Sequence, residues 1–408
     1  MNILLLTNFY PPEVRSISTM MRELAEGLAV QGHQVTVLTS WPKENISPEA
    51  QSKNFAKDVR EGAVRVIRVK VPSSYSRHYW LRGLLQLSLP YFFWHAVRHL
   101  KYATIDGVIV YIPHLPLAMV GARVKQVYGA RYLLNVQDIF PQNAIDLGIM
   151  KNKVLIWFFE WMELRAYRAA DVMTTHTEGG RQFLITRKHI PEDKITVVPN
   201  WVDVSPFKNA QRTGIFRKRY GLDNKFIFLF PGIFGSSQHL EFIIEIARRI
   251  ADISEIVFLF VGDGTEKARL QKMAADYGLS NVQFQPFVDP KEYPMLVKDI
   301  DVGFLCLSME NTTSVVPGKL WGFMASACPV VAFLQPASDG HRIIKEARCG
   351  YSLGSDNVEK AIELVRQIYA QQDQLDGLGR NGYNYVSTYF SKQACIAQLG
   401  SLFNPYDP

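Results

Sequence analysis

The chain has 408 residues, 48% of them hydrophobic and 20% charged, with 27 glycines and 21 prolines; such a composition excludes collagenous and disordered chains, and the length calls for two globular domains. Lysine and arginine outnumber aspartate and glutamate by 45 to 38, yet no nucleic-acid-binding motif accompanies the excess, so nucleic acid is set aside as a partner. Cys306, Cys328, Cys349 and Cys395 form no CxxC pair, which argues against a disulfide scaffold and a zinc site and fits reduced thiols in a cytoplasm.

Residues 2–7 read as a buried strand, 16–31 as a helix stopped by Gly32, and 35–39 as the next strand, which opens a parallel βαβ series. Strands follow at 64–69, 107–111, 131–136, 172–175 and 195–198, with helical stretches between them. Regularity is lost over 201–221, the expected domain boundary. The alternation restarts with strands at 226–230, 256–261, 282–284, 302–305 and 330–332 and helices at 240–250 and 266–277. The predicted fold class is therefore α/β, with two doubly wound Rossmann-like domains at 1–200 and 201–390, and a helical segment within 391–408 packing across their junction. Ligands of doubly wound sheets sit beyond the carboxyl ends of the strands, so the site is expected in a cleft between two facing domains. Neither a signal peptide nor a spanning helix is expected, because the longest apolar stretch, 83–97, is broken by Gln86, Pro90 and His95.

Charge is unevenly spread. Between Glu61 and Asp106 no acidic residue occurs, while Arg77, Arg82, Arg98 and Lys101 alternate with Trp80, Phe92, Phe93 and Trp94. Aromatic rings favour the level of lipid headgroups and basic heads favour anionic lipid, so this stretch is expected to lie on an anionic membrane. A core helix hairpin with a solvated basic rim is the alternative.

Several segments carry chemistry together: Asn8-Phe9-Tyr10-Pro11-Pro12-Glu13 after the first strand, Gln137-Asp138-Ile139-Phe140-Pro141, Pro199-Asn200-Trp201-Val202-Asp203, Val261-Gly262-Asp263-Gly264, and Pro317-Gly318-Lys319-Leu320 followed by Met324-Ala325 and Pro329-Val330-Val331. In order and spacing they resemble the GT-B fold retaining glycosyltransferases of the family 4 type, in particular the WbuB-like enzymes that build bacterial surface polysaccharides such as O-antigen, capsule or exopolysaccharide. The resemblance covers nearly the whole chain. It implies a metal-independent hexosyltransferase that needs no cofactor and moves a sugar from a nucleoside diphosphate, expected to be UDP, to a polyprenyl-diphosphate-linked saccharide. It also implies a cytoplasmic enzyme, peripheral on the inner face of the cytoplasmic membrane.

A departing diphosphate must be held by backbone N–H groups and cations. Gly232, Gly235, Ser236 and Ser237 form a small-residue turn between strand and helix where amides can point at phosphate. In most of the family this turn carries a basic pair; here those positions are Ile233 and Gln238, so Lys319 becomes the leading cation. Gly262, Asp263 and Gly264 form a tight loop that the resemblance puts near base and ribose, and they fall short of the full dinucleotide fingerprint. The family's two glutamates are missing: Ser314 and Gly322 stand in their places, and Glu310, four residues before Ser314, is the candidate substitute. Asp138 ends a strand and matches the aspartate of the WbuB-like D-x-x-P segment, where a carboxylate can orient an acceptor hydroxyl. Glu13 follows the Pro-Pro turn on the cleft side of the first domain, and beside it Arg15 and Ser16 stand where the family usually shows two glycines near the diphosphate. Two rivals remain open, a non-hydrolysing nucleotide-sugar epimerase and a GT-B scaffold that binds or regulates without catalysis.

Overall fold

The apolar runs of the sequence become the inner strands of two parallel sheets. The structure, a computed structural model, describes residues 1–13, 15–43, 46, 55–72, 85–100, 104–112, 114–137, 139–146, 148, 150–310 and 316–403. It folds as two units, Met1–Pro199 with Gln393–Pro408, and Asn200–Lys392.

In the first unit, strands β1 (Asn2–Leu6), β2 (Gln34–Ser40), β3 (Asp58–Glu61), β4 (Val64–Val69), β5 (Gly107–Ile112), β6 (Arg131–Val136), β7 (Val172–Thr175) and β8 (Ile195–Val197) form one sheet in the order β3-β4-β2-β1-β5-β6-β7-β8. All pairs are parallel except the β3–β4 hairpin. Strand β5 is buried along its whole length, as a strand covered on both faces must be. The principal helices are α1 (Ser16–Val30), α2 (Leu89–Arg98), α3 (Leu117–Tyr128), α4 (Lys153–Ala169) and α5 (Glu178–Lys188). Strand β3, absent from the predicted elements, is a four-residue polar edge strand held by the Asp58–Arg65 ion pair.

In the second unit, β9 (Phe226–Ile233), β10 (Ile256–Asp263), β11 (Val282–Gln285), β12 (Val302–Cys306), β13 (Val330–Leu334) and β14 (Gly350–Gly354) run all parallel in the order β11-β10-β9-β12-β13-β14. Its helices are α6 (Leu240–Arg249), α7 (Lys267–Asp276), α8 (Tyr293–Asp299), α9 (Lys319–Ala325), α10 (Gly340–Ala347), α11 (Val358–Ala370) and α12 (Leu375–Tyr389). One face of the sheet is packed with phenylalanines, Phe228 stacking on Phe258 at 5.3 Å and Phe260 on Phe284 at 4.9 Å. Buried Asp299 accepts from the amides of Thr213, Gly214 and Phe216 and so orders the start of this unit.

The final helix, α13 (Lys392–Ser401), rests on the first unit, where sequence alone suggested a position across the junction. Ile396 fills a notch left by Gly27, and Phe403 fills one left by Gly107; a Cβ at either glycine would come within 2.8 Å or 2.7 Å of these side chains. Lys392 pairs with Asp203 at 2.6 Å, so the two ends of the second unit's chain are tied together.

The stretch expected on a membrane is corrected in part. In α2, Leu89, Phe93 and Val97 recur every fourth residue and are buried in the first unit's core. Phe93 therefore packs against the sheet and has no solvent face. Phe92 and Trp94 are half-buried against the same core, with the Arg123 guanidinium 5.4 Å over Trp94, while Arg98 is exposed. Arg77, Trp80, Arg82 and Lys101 lie outside the described residues. Among the described residues no helix is long and apolar enough to cross a membrane.

Candidate active site

Strand β9 ends in a sequence that cannot continue as a strand. Gly232 takes φ +118°, a conformation that favours glycine, and the chain turns through Gly235 into a single tight turn at Ser236–Gln238. The amides of Gly235, Ser236 and Ser237 have no acceptor among the described residues. Beside this turn lies a cavity of about 700 Å³, the size of a cofactor or nucleotide pocket. Its polar wall contains Gly235, Ser237, Gln238 and Lys319, and its apolar wall contains Phe287 and Tyr293.

Lys319, the first residue of α9, reaches across β9. Its ammonium donates to Gln238 Oε1 at 3.1 Å and stands 4.6 Å over the Phe230 ring. A side chain at Gly232 would meet Lys319 Cε at 2.8 Å, so the glycine leaves the slot in which the lysine lies. Burial pushes the Lys319 pKa down to about 8. A group poised in this way inside a cavity is a binding candidate on physical grounds.

The Gly262-Asp263-Gly264 loop has a different role. A Cβ at Gly262 would lie 1.8 Å from Gly232 O, and one at Gly264 would lie 2.3 Å from Phe234 O. Both glycines let the β10 loop close against the β9 loop, where Phe234 donates to Asp263 O at 2.8 Å. Asp263 turns its carboxylate to the Gly264 amide and to Lys267, at 2.8 Å and 3.6 Å.

Gly322 is buried on α9, and the space a side chain would need is filled by Tyr293 of α8: a Cβ there would be 2.8 Å from Tyr293 Oη. That hydroxyl has no hydrogen-bond partner among the described residues, and Tyr293 lines the cavity. Glu310 is exposed on the loop after β12, outside the cavity lining. The loop is pinned nearby, Ser308 donating its amide to Ser237 O at 2.9 Å. Ser314 lies outside the described residues.

In the first unit, residues just beyond the carboxyl ends of β1, β2 and β5 form a polar cluster. Ser40 donates its hydroxyl to Asn8 Oδ1, and Asn8 Nδ2 is 3.3 Å from His114 Nε2. Glu13 is buried, accepts from the Lys43 amide at 3.0 Å and has Arg15 Nε 3.9 Å from its second oxygen. Arg15 in turn stands 4.8 Å over the Phe9 ring, and Ser16 opens α1. Asp138 lies outside the described residues. Of the residues singled out in the sequence, the structure brings Gly232, Ile233, Gly235, Ser237, Gln238 and Lys319 to one cavity and Glu13 and Arg15 to one pair. Ser236 adjoins the cavity on the turn without lining it. Phe287 and Tyr293 escaped the sequence reading because nothing local marks them; Phe287 follows a strand by two residues and Tyr293 starts a helix.

Two doubly wound domains in series, with a ligand-sized cavity beyond the carboxyl ends of strands in the second, have the architecture of GT-B glycosyltransferases. Residues 16–201 match the family model described as a glycosyl transferase 4-like domain, and residues 213–385 match that of glycosyl transferases group 1. The chain is 30% identical over 339 residues to WcaI of Escherichia coli strain K12, a glycosyl transferase named for colanic acid biosynthesis, covering 80% of this chain and 81% of that one. The sucrose-phosphate synthase of Thermosynechococcus elongatus superposes with a TM-score of 0.75 at 15% identity, covering 98% of both chains. Anabaena HepE in complex with UDP and glucose superposes with a TM-score of 0.70 at 14% identity, covering 98% of this chain and 99% of that one. The chain belongs to the GT-B glycosyltransferases of the family 4 type.

Proposed function

We propose that this glycosyltransferase moves a hexose from a nucleoside diphosphate, UDP in the first instance, to a polyprenyl-diphosphate-linked saccharide during synthesis of a bacterial surface polysaccharide. Transfer proceeds with retention and without a metal or other cofactor, on the inner face of the cytoplasmic membrane. The observation that carries this reading is the Lys319 ammonium set in a cavity beside three amides that have no acceptor among the described residues. Together they offer positive charge and N–H donors to a diphosphate, whose negative charge grows as the sugar leaves. Phe287 and Tyr293 supply an apolar wall for a base. The name of WcaI supports the polysaccharide assignment, and the ligands of HepE support UDP. Asp138 is assigned to orient the acceptor hydroxyl or stabilise oxocarbenium character, and Glu310 to contact the donor sugar; Glu13, Arg15 and Ser16 are assigned to the diphosphate side of the first unit.

Calorimetry tests the central point. Lys319→Ala should weaken UDP binding by about 10- to 150-fold, the equivalent of losing one hydrogen bond to a charged group, and should change uridine binding little. Equal losses for nucleotide and nucleoside would remove Lys319 from the site.

A further inference from the structure

Among the described residues of the first unit, helix α4 holds the largest concentration of exposed apolar side chains. Its second half is anchored, Met162, Ala166 and Tyr167 being buried against the sheet. In its first half Phe158 and Phe159 are half-buried against the same core, and four other apolar side chains are left exposed. Val154 is 72% exposed, Leu155 50%, Trp157 65% and Trp161 44%. Phe158 stacks on Trp161, and the Arg165 guanidinium lies 5.0 Å over the same ring. The helix start is well formed, because the Asn152 side chain accepts from the amides of Val154 and Leu155 at 3.0 Å and 3.2 Å. Two tryptophans and two aliphatic residues on so short a stretch form a contiguous apolar surface of the kind that marks an interaction site.

Charge identifies what covers it. Lys151, Lys153, Arg165 and Arg168 are exposed around the patch. Of the helix's two acids, Glu163 is buried and taken up by Lys188 at 2.7 Å and by Tyr167. Glu160 is half-buried, so the face presented to solvent is basic. A second copy docking the same patch against itself would bring like charges together, as any two-fold contact of a basic face must. An anionic lipid surface satisfies both demands, since tryptophan rings settle at the headgroup level and lysines near a helix start meet lipid phosphate. The helix connects the carboxyl end of β6 to β7, which puts its exposed start at the edge of the sheet where doubly wound domains take their ligands. Helices α2 and α4 flank α3 and share one core, so exposed Tyr91 and Arg98 of α2 extend the same side of the domain.

We infer that the first half of α4, through Val154, Leu155, Trp157 and Trp161 with Lys151 and Lys153, seats this enzyme on an anionic bilayer. The inference rests on the reading above only in that a membrane-borne acceptor gives such a surface its use. Flotation with vesicles of phosphatidylglycerol in phosphatidylcholine tests it on the full chain, with UDP binding and thermal unfolding measured in parallel. The natural chain should float with the anionic vesicles. Trp157→Ser with Trp161→Ser should lower partitioning at least about tenfold at both low and high salt, because ring insertion is not screened. Lys151→Glu with Lys153→Glu should lower it at least about tenfold at low salt and change it little at high salt. The lysine variant should unfold at the natural temperature, while the tryptophan variant, which loses the contacts of Trp161 with Phe158 and Arg165, should melt slightly lower and keep its UDP binding. Absence of flotation, equal flotation of all three proteins, or a dimer of the natural chain that the tryptophan variant splits would each overturn the inference. Failure of the natural chain to bind any nucleoside diphosphate, with flotation intact, would instead overturn the assigned reaction.

Discussion

At the scale of single residues, Lys319 shows how a binding group and a destabilising one can be the same atom. Its ammonium is charged below a pKa of about 8, while the terminal phosphate of UDP is already ionised across the neutral and alkaline range. UDP affinity should therefore fall by up to about tenfold between pH 7 and 9, since one unit above the pKa leaves about a tenth of the lysines protonated. In Lys319→Met this decline should vanish. The folded pKa is lower than that of the unfolded chain, so the unfolded state binds the extra proton between about 8 and the ordinary lysine range, and stability rises with pH across that window. Below it the burden of the desolvated charge is present in full, and Lys319→Met should melt higher than the natural chain at pH 7. Titration calorimetry and thermal unfolding at three pH values check both halves; a pH-independent UDP affinity in the natural chain would contradict the placement. Lys319 and Gly232 were legible in the sequence because a lysine after Pro-Gly and a glycine at the end of an apolar run each stand out from their neighbours. The pairing of that lysine with Gln238 was not legible, because 81 residues separate the two.

At the scale of elements, α8 and α9 meet through the fit of Tyr293 over Gly322. Adding one methyl, Gly322→Ala, forces the new carbon to within 2.8 Å of Tyr293 Oη and 3.2 Å of its ring, an overpacking expected to lower stability by about 1–3 kcal/mol. Tyr293→Phe removes the nearer contact, so the double variant should be more stable than the sum of the two changes predicts by at least about 0.5 kcal/mol. Urea unfolding of the four proteins measures the coupling, and strict additivity would show that the two helices do not meet as described. The same pair explains why restoring a glutamate at 322 would not by itself recreate a two-glutamate site: the ring already holds the space. Spacing alone carried the sequence reading unevenly here. Leu89, Phe93 and Val97 of α2 and Val154, Trp157 and Trp161 of α4 all follow helical intervals, yet the first set is buried and the second exposed. Periodicity tells which side chains share a face and leaves open whether another element covers it. Strands β3 and β14 were missed for a related reason, since a four-residue edge strand with a single valine and a strand bounded by glycines lack an apolar run.

At the scale of the molecule, the two series of alternating strands and helices were evident from their apolar runs, because strands buried on both faces leave few polar residues in register. The path of the last helix was not. Gly27 and Gly107 are shaped for Ile396 and Phe403, residues that no local pattern connects with them. Deleting residues 393–408 should therefore lower the unfolding temperature of the first unit while the second, complete from Asn200 to Lys392, keeps its affinity for UDP. Scanning calorimetry with nucleotide titration separates the two effects, and a parallel loss of UDP binding would contradict this division of labour.

The same arrangement governs the order of events during synthesis. All eight strands of the first unit are encoded before Asn200, whereas the side chains that fill the notches at Gly27 and Gly107 are encoded roughly two hundred codons further downstream. At ordinary elongation speeds that is a delay of about 10–40 s, during which the nascent domain must be sheltered or remain partly open. The second unit needs no later segment and can finish folding before the first.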